Sequence, residues 1–199
     1  MFQIRVVAVA ALLALSTAVP LVASAQDSRA DASVEYNNQD DHTPDLTYTP
    51  GWSVGLAWHL IPRLALAVEW TANSRSTPDT VTVPVSVIEE RFRSLQAGPR
   101  LALSSGKVRP YFQFLAGGSR YDIRMSGSNS AWQGYTRLSL QPGLSADIAV
   151  NNWVALRAGI DLRLASDQET YCGGCLPTTR WTKEVRAHTG LVISLFRRD

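Results

Sequence analysis

From Arg63 onward, Leu64, Leu66, Val68 and Trp70 alternate with Ala65, Ala67 and Glu69. A period of two sends successive side chains to opposite faces of an extended strand, and no helix satisfies it. The same alternation sets Trp52, Val54, Leu56, Trp58 and Leu60 against Ser53, Gly55, Ala57 and His59. It also sets Leu138, Leu140, Leu144, Ala146 and Ile148 against Arg137, Ser139, Gln141, Ser145 and Asp147. In a later segment Val154, Leu156, Ala158, Ile160, Leu162 and Leu164 oppose Arg157, Gly159, Asp161 and Arg163. In all, eight strands are expected, at 31–38, 51–60, 63–73, 92–103, 108–121, 134–150, 153–165 and 185–196. Ile61-Pro62, Ser104 to Lys107 and Asn151-Asn152 read as tight turns. Four polar stretches at 39–49, 74–90, 122–133 and 166–184 read as long loops, the second with room for a short β extension around Val81 to Val87. Long and short connections alternate, so all three turns and both termini fall on one side. The pattern predicts an all-β chain, an eight-stranded antiparallel up-and-down barrel.

Residues 1–25 read as a cleaved export signal: Arg5, an apolar run from Val6 to Leu15, then Ala23-Ser24-Ala25. Residues 26–199 then form one domain of 199 − 25 = 174 residues. No Cys follows the cleavage site to carry a lipid. Removing Arg5 leaves 18 basic and 17 acidic residues with no basic tract, which argues against nucleic acid as a partner. No later stretch approaches the roughly 18 apolar residues of a membrane helix. A spanning chain of this composition must therefore close its sheet, because backbone amides in hydrocarbon need partners. A soluble barrel also alternates, with its apolar face inward. Three features favour a membrane barrel. The apolar faces are bulky, while the opposite faces mix small residues with charges. Trp52, Trp58, Trp70, Tyr121, Trp132, Tyr135, Trp153 and Trp181 sit near strand ends, as headgroup girdles do. The export signal is the third.

With the apolar faces outward, the lumen receives Glu69, Arg100, Arg109, Arg137, Asp147, Arg157, Asp161, Arg163 and Arg186. Charges in a narrow barrel must pair or be watered, so an Arg–carboxylate network filling the lumen is expected. Arginines outnumber acids in this set, which leaves a partly anion-selective interior open. Cys172 and Cys175, separated by two glycines in an exported chain, are expected to form a local disulfide. No helix is expected there to activate a thiolate, and zinc would need two further ligands. No metal or other cofactor is expected. Of the histidines His42, His59 and His188, the last two point toward the lumen at different heights. A Ser–His hydrolase acting on lipids would need both groups within hydrogen-bond reach on one face, and no G-x-S-x-G is present. Arg75, Arg120, Arg124, Arg180 and Lys183 are candidates for lipopolysaccharide phosphates.

The stretches GWSVGLAWHLIPRLALAVEW, LQAGPRLALSSGKVRPYFQFLAGGSR, LQPGLSADIAVNNWVALRAGIDLRL and HTGLVISLF resemble the eight-stranded outer-membrane β-barrel proteins of the opacity and adhesion type. They cover most of the mature chain and carry no catalytic signature. The resemblance implies an integral outer-membrane protein, in a family whose members are often of unknown role and in some cases adhesive or structural. One departure is that Arg197-Arg198-Asp199 follow Phe196, where such strands commonly finish on an aromatic residue. A structural or surface-interaction barrel is the leading expectation. A narrow pore for ions or small solutes and a lipid-modifying enzyme stand behind it. Outer-membrane lipids, including lipopolysaccharide, are the expected partners, and the chain is expected to be monomeric.

Overall fold

Each strand buries its polar face and exposes its apolar one. The computed structural model describes residues 28–40, 48–79, 86–126, 132–169 and 178–197. The export signal, and Cys172 with Cys175, lie outside the described residues. Eight strands follow in chain order: β1 Ser28–Asp40, β2 Tyr48–Ile61, β3 Leu64–Asp79, β4 Ser86–Ala102, β5 Val108–Ser126, β6 Gln133–Ala149, β7 Val154–Glu169 and β8 Thr178–Arg197. Each pairs antiparallel with its sequence neighbour, and β1 pairs with β8, so the barrel is closed. Closure leaves no sheet edge, the condition for crossing hydrocarbon with strands.

Among the described residues, 25 polar or charged side chains are buried and only 10 apolar ones. Thirty large apolar side chains are exposed on the wall, including Val34, Leu56, Val68, Leu144 and Leu191. A soluble barrel reverses this distribution. The wall is therefore built for lipid, and the soluble alternative is set aside on the orientation of its side chains. Inside, β2 and β3 contribute small residues, among them Ala57, Ala65 and Ala67, which cluster with Leu115 of β5. That leaves room for long side chains reaching across from β7 and β8.

The three turns lie where the sequence puts them. Gly106 has φ of 149°, a conformation that favours glycine, in the β4–β5 turn. Asn151 Oδ1 accepts from the backbone N–H of Trp153 and of Val154, both at 2.8 Å, and so closes the β6–β7 turn. Two prolines inside the sheet sit at gaps in the ladder. The β4–β5 pairing passes from Ala97 to Arg100 across Pro99, and the β6–β7 pairing from Leu140 to Gly143 across Pro142. Proline has no N–H to give.

The upper half differs from expectation. Much of what reads as long loop is strand: β3 runs on to Asp79, β4 starts at Ser86, β5 reaches Ser126, β7 reaches Glu169 and β8 starts at Thr178. Above the bilayer both faces of a strand meet water, so the apolar period vanishes while the backbone ladder continues. The girdle also needs amendment. Trp58 and Trp153 at the turn end, and Trp52, Trp70 and Trp181 toward the other, are exposed on the wall, whereas Tyr135, though exposed, shares the inward face of β6 with Arg137 and Ser139. Trp52 and Trp70 meet edge to face at 4.7 Å. Tyr121 and Trp132 are half-buried instead, Trp132 lying between the guanidiniums of Arg91 and Arg124 at 4.2 and 4.7 Å from its ring centre.

Candidate functional site: the charged lumen

Alternation carries the charges inward, and the register stacks them at successive heights. Nearest the turns, His59 Nε2 lies 2.7 Å from Asp31 Oδ2. Just above, Arg157 donates from Nε and Nη2 to the two oxygens of Asp147 at 2.7 and 2.9 Å, and from Nη1 to Glu35 at 3.0 Å. The Tyr111 ring lies between two guanidiniums, with Arg100 4.6 Å and Arg157 5.1 Å from its centre. Arg100 donates to Gln113 at 3.0 Å.

At mid-height, Arg186 of β8 crosses the lumen to Glu69 of β3 at 2.6 Å and holds Asp161 of β7 through Nε at 2.9 Å. Asp161 also accepts from Gln113 at 3.0 Å and Gln141 at 3.3 Å. Higher still, Arg163 donates to Gln39 at 2.6 Å and Gln141 at 3.1 Å, and stacks 4.4 Å from the Phe92 ring centre. Gln39 in turn donates to Glu184 at 2.6 Å. Arg157, Arg163 and Arg186 are all at most 2% exposed.

Three glycines make these crossings sterically feasible. Gly190 is paired between Arg157 and Glu35, Gly143 between Gln113 and Asp161, and Gly159 between Ser145 and His188. A Cβ at Gly190 would meet Glu35, one at Gly143 the Asp161 carboxylate, and one at Gly159 the Ser145 hydroxyl. In each case long side chains on the flanking strands meet over a bare backbone.

Of the nine charges expected in the lumen, Glu69, Asp161 and Arg186 come together, as do Asp147 and Arg157. Arg163 reaches a carboxylate, Glu184, only at 3.8 Å. Arg109 lines a cavity at the turn end with Asp31, His59, Arg100, Tyr111 and Asp147. Arg137, nearer the loop end, is stacked on Tyr135 at 5.0 Å and donates to Thr182 at 3.4 Å. Sequence reasoning missed Asp31, Glu35 and Glu184, and it weighed His188 as a catalytic group and as a zinc ligand near the cysteines. Their addition changes the balance. Arg100, Arg109, Arg137, Arg157, Arg163 and Arg186 share the interior with Asp31, Glu35, Glu69, Asp147, Asp161 and Glu184. The arginine excess that left an anion-selective lumen open is gone.

His188 completes a chain that deserves a chemical test. Ser145 Oγ lies 3.1 Å from its Nε2, and Glu35 Oε2 lies 2.5 Å from its Nδ1. This is the connectivity of a serine, its base and an orienting acid. Two features differ from a working triad. Asp161 Oδ2 also approaches Nε2, at 3.5 Å. Ser145, His188 and Glu35 are 2%, 5% and 2% exposed, which leaves no visible approach for an ester. His59 is not part of this group. Among the described residues, no cluster of three His, Cys, Asp or Glu side chains has metal-binding geometry.

No protein-family model matches the chain, and no curated protein matches it. Solved structures do. Neisserial surface protein A is 15% identical over 83% of this chain and 96% of its own, with a TM-score of 0.58. OprG of Pseudomonas aeruginosa is 9% identical over 87% and 100%, at 0.54. Ail, the attachment invasion locus protein of Yersinia pestis, solved with the heparin analogue sucrose octasulfate, is 10% identical over 83% and 96%, at 0.53. At these identities the likeness is one of fold. The chain has the fold of the eight-stranded outer-membrane β-barrels.

Proposed function

We propose that this protein is an integral bacterial outer-membrane barrel whose lumen is sealed, serving a structural or surface-interaction role rather than conduction. In fold and in wall chemistry it is an outer-membrane barrel. The observation that carries the sealed reading is the stack of guanidinium contacts that crosses the lumen from strand to strand. A guanidinium held by two carboxylates at about 3 Å cannot rehydrate to pass an ion without breaking contacts that cost several kcal/mol to lose. The cavities at the two ends of this stack are small, about 20 Å³ each, room for roughly one water. A surface role is supported by the strand extensions, which carry the sheet beyond the apolar wall at the loop end. It is supported also by likeness in fold to a protein named for attachment and invasion. The test is a planar-bilayer recording of the folded protein. Silent membranes are expected at voltages where porins open, and resolved conductance steps would replace this reading with the narrow-pore one.

A second reading is favoured by one observation, the Ser145–His188–Glu35 chain. A lipid hydrolase built on it would acylate Ser145. A fluorophosphonate probe applied to the folded barrel is expected to leave Ser145 unlabelled, because the hydroxyl is enclosed. Labelling that disappears in His188→Ala would establish the hydrolase instead.

A further inference from the structure

The outer wall carries one arrangement that the sealed lumen does not use. Arg93 of β4 and Arg120 of β5 are directly paired across the ladder, both on the outward face. Like charges so placed repel. Among the described residues Arg93 makes no ion pair, and Arg120 is engaged by Asp122 at 2.9 Å while its side chain stays 59% exposed. Arg91 stands one outward position above Arg93. Glu89 is occupied by Arg124 at 2.7 Å. The patch thus holds four arginines, Arg91, Arg93, Arg120 and Arg124, against two acids, Glu89 and Asp122.

Its position is as informative as its charge. The pairing row that contains Arg93 continues through Ala72 of β3 and Trp52 of β2 to Tyr36 of β1. Because Ala72 and Ser74 are small, the wall is hollowed there into a cleft of about 380 Å³. Trp52 and Tyr36 form one side of it, and Arg91 and Arg93 the other. The next outward row toward the turns is Trp70 with Leu95, where the apolar wall begins. The cleft therefore opens sideways, at the loop end, at the level where hydrocarbon gives way to headgroups. One side suits apolar or sugar surface and the other suits a doubly charged anion.

We propose that this cleft binds the phosphorylated headgroup of an outer-leaflet lipid, the lipid A portion of lipopolysaccharide. A phosphate is seated on Arg93 at the rim of the cleft, where Arg120 of the next strand adjoins it, and the sugar lies against Trp52. The anion removes the repulsion that the paired arginines otherwise carry, and the acyl chains continue down the apolar wall below Trp70. The inference rests on the outer-membrane reading above. A soluble polyanion fits less well, because the cleft faces along the membrane plane rather than upward.

The test is titration of the detergent-folded barrel with bisphosphorylated lipid A. Bound lipid is counted by native mass spectrometry, and heat-modifiable gel migration reports folding independently. Bisphosphorylated lipid A is expected to bind, and Arg93→Ala/Arg120→Ala to weaken it about tenfold or more, since one charged contact is worth that much. Arg93→Lys/Arg120→Lys should retain most binding, as should Lys107→Ala, an exposed cation in the β4–β5 turn at the opposite end of the barrel. Should the alanine double variant fail to fold, Arg93→Gln alone reads the same loss. Dephosphorylated lipid A should bind weakly to every variant. Equal affinity in wild type and the double variant, or indifference to the phosphates, overturns the proposal. So does Arg93-dependent binding of sucrose octasulfate as tight as that of lipid A. A barrel that migrates as folded yet ignores lipid A sinks this inference alone; failure to form the heat-modifiable species sinks the outer-membrane reading with it.

Discussion

Arg186 joins two strands that do not touch, holding Glu69 of β3 and Asp161 of β7 from its place on β8. Both acids and the guanidinium are buried. Removing the cation alone strands two carboxylates in a dry interior, and such truncations cost about 3–5 kcal/mol. Arg186→Met is therefore expected to lower the urea midpoint of the detergent-folded barrel sharply. Glu69→Gln/Asp161→Asn/Arg186→Met should recover most of the loss, because no uncompensated charge remains. Urea titration followed by tryptophan fluorescence checks both, and an unchanged midpoint in Arg186→Met would mean that the ion pairs are solvated. Most of these charges are legible from alternation alone, since a residue two away from a lumen residue faces the lumen. Glu184 lies two residues before Arg186 but at the end of a polar stretch that reads as loop, and Glu35 sits in a first strand with few bulky apolar neighbours. The identity of each Arg–acid pair was not legible, because it depends on inter-strand register and on which glycine leaves space.

The strands are legible at their turn ends and not at their loop ends, for a physical reason. Near the turns one face meets lipid and the other the lumen, and that contrast writes the period of two. Beyond the girdle the contrast is gone, and β4 and β5 continue on backbone pairing from Arg91↔Asp122 up to Val87↔Ser126. Side-chain contacts add to it there: Arg124 donates to Glu89 at 2.7 Å, and Arg91 and Arg124 flank Trp132. Cation–π contacts of this kind contribute about 0.5–1 kcal/mol each at exposed sites. Arg124→Ala removes one of them and the ion pair, which should loosen Trp132 without unfolding the barrel. A red shift and easier acrylamide quenching of Trp132, observed in a variant whose other tryptophans are replaced by Phe, would register it. Unaltered quenching would mean that the extension is held by backbone pairing alone.

At the scale of the whole molecule, stability depends on the solvent outside as much as on the contacts inside. The barrel has few apolar side chains in its interior, so the drive that folds a soluble domain is supplied here by the bilayer taking up the wall. Depth along the wall should then govern the cost of a charge placed on it. Leu144 lies near the middle of the apolar band, on β6 between Ile148 and Leu138. Leu60 adjoins the β2–β3 turn. In a membrane, an arginine at mid-depth costs about 2–4 kcal/mol and one near the interface about 0–1. Leu144→Arg should therefore destabilise the barrel in phospholipid vesicles far more than Leu60→Arg, as read by reversible denaturant titration. In short-chain detergent, which deforms around a charge, the gap should narrow. Surface substitutions on a soluble barrel are close to neutral at either position, so equal effects in vesicles would contradict the inside-out wall, and with it the sealed lumen and the lipid cleft that depend on its orientation.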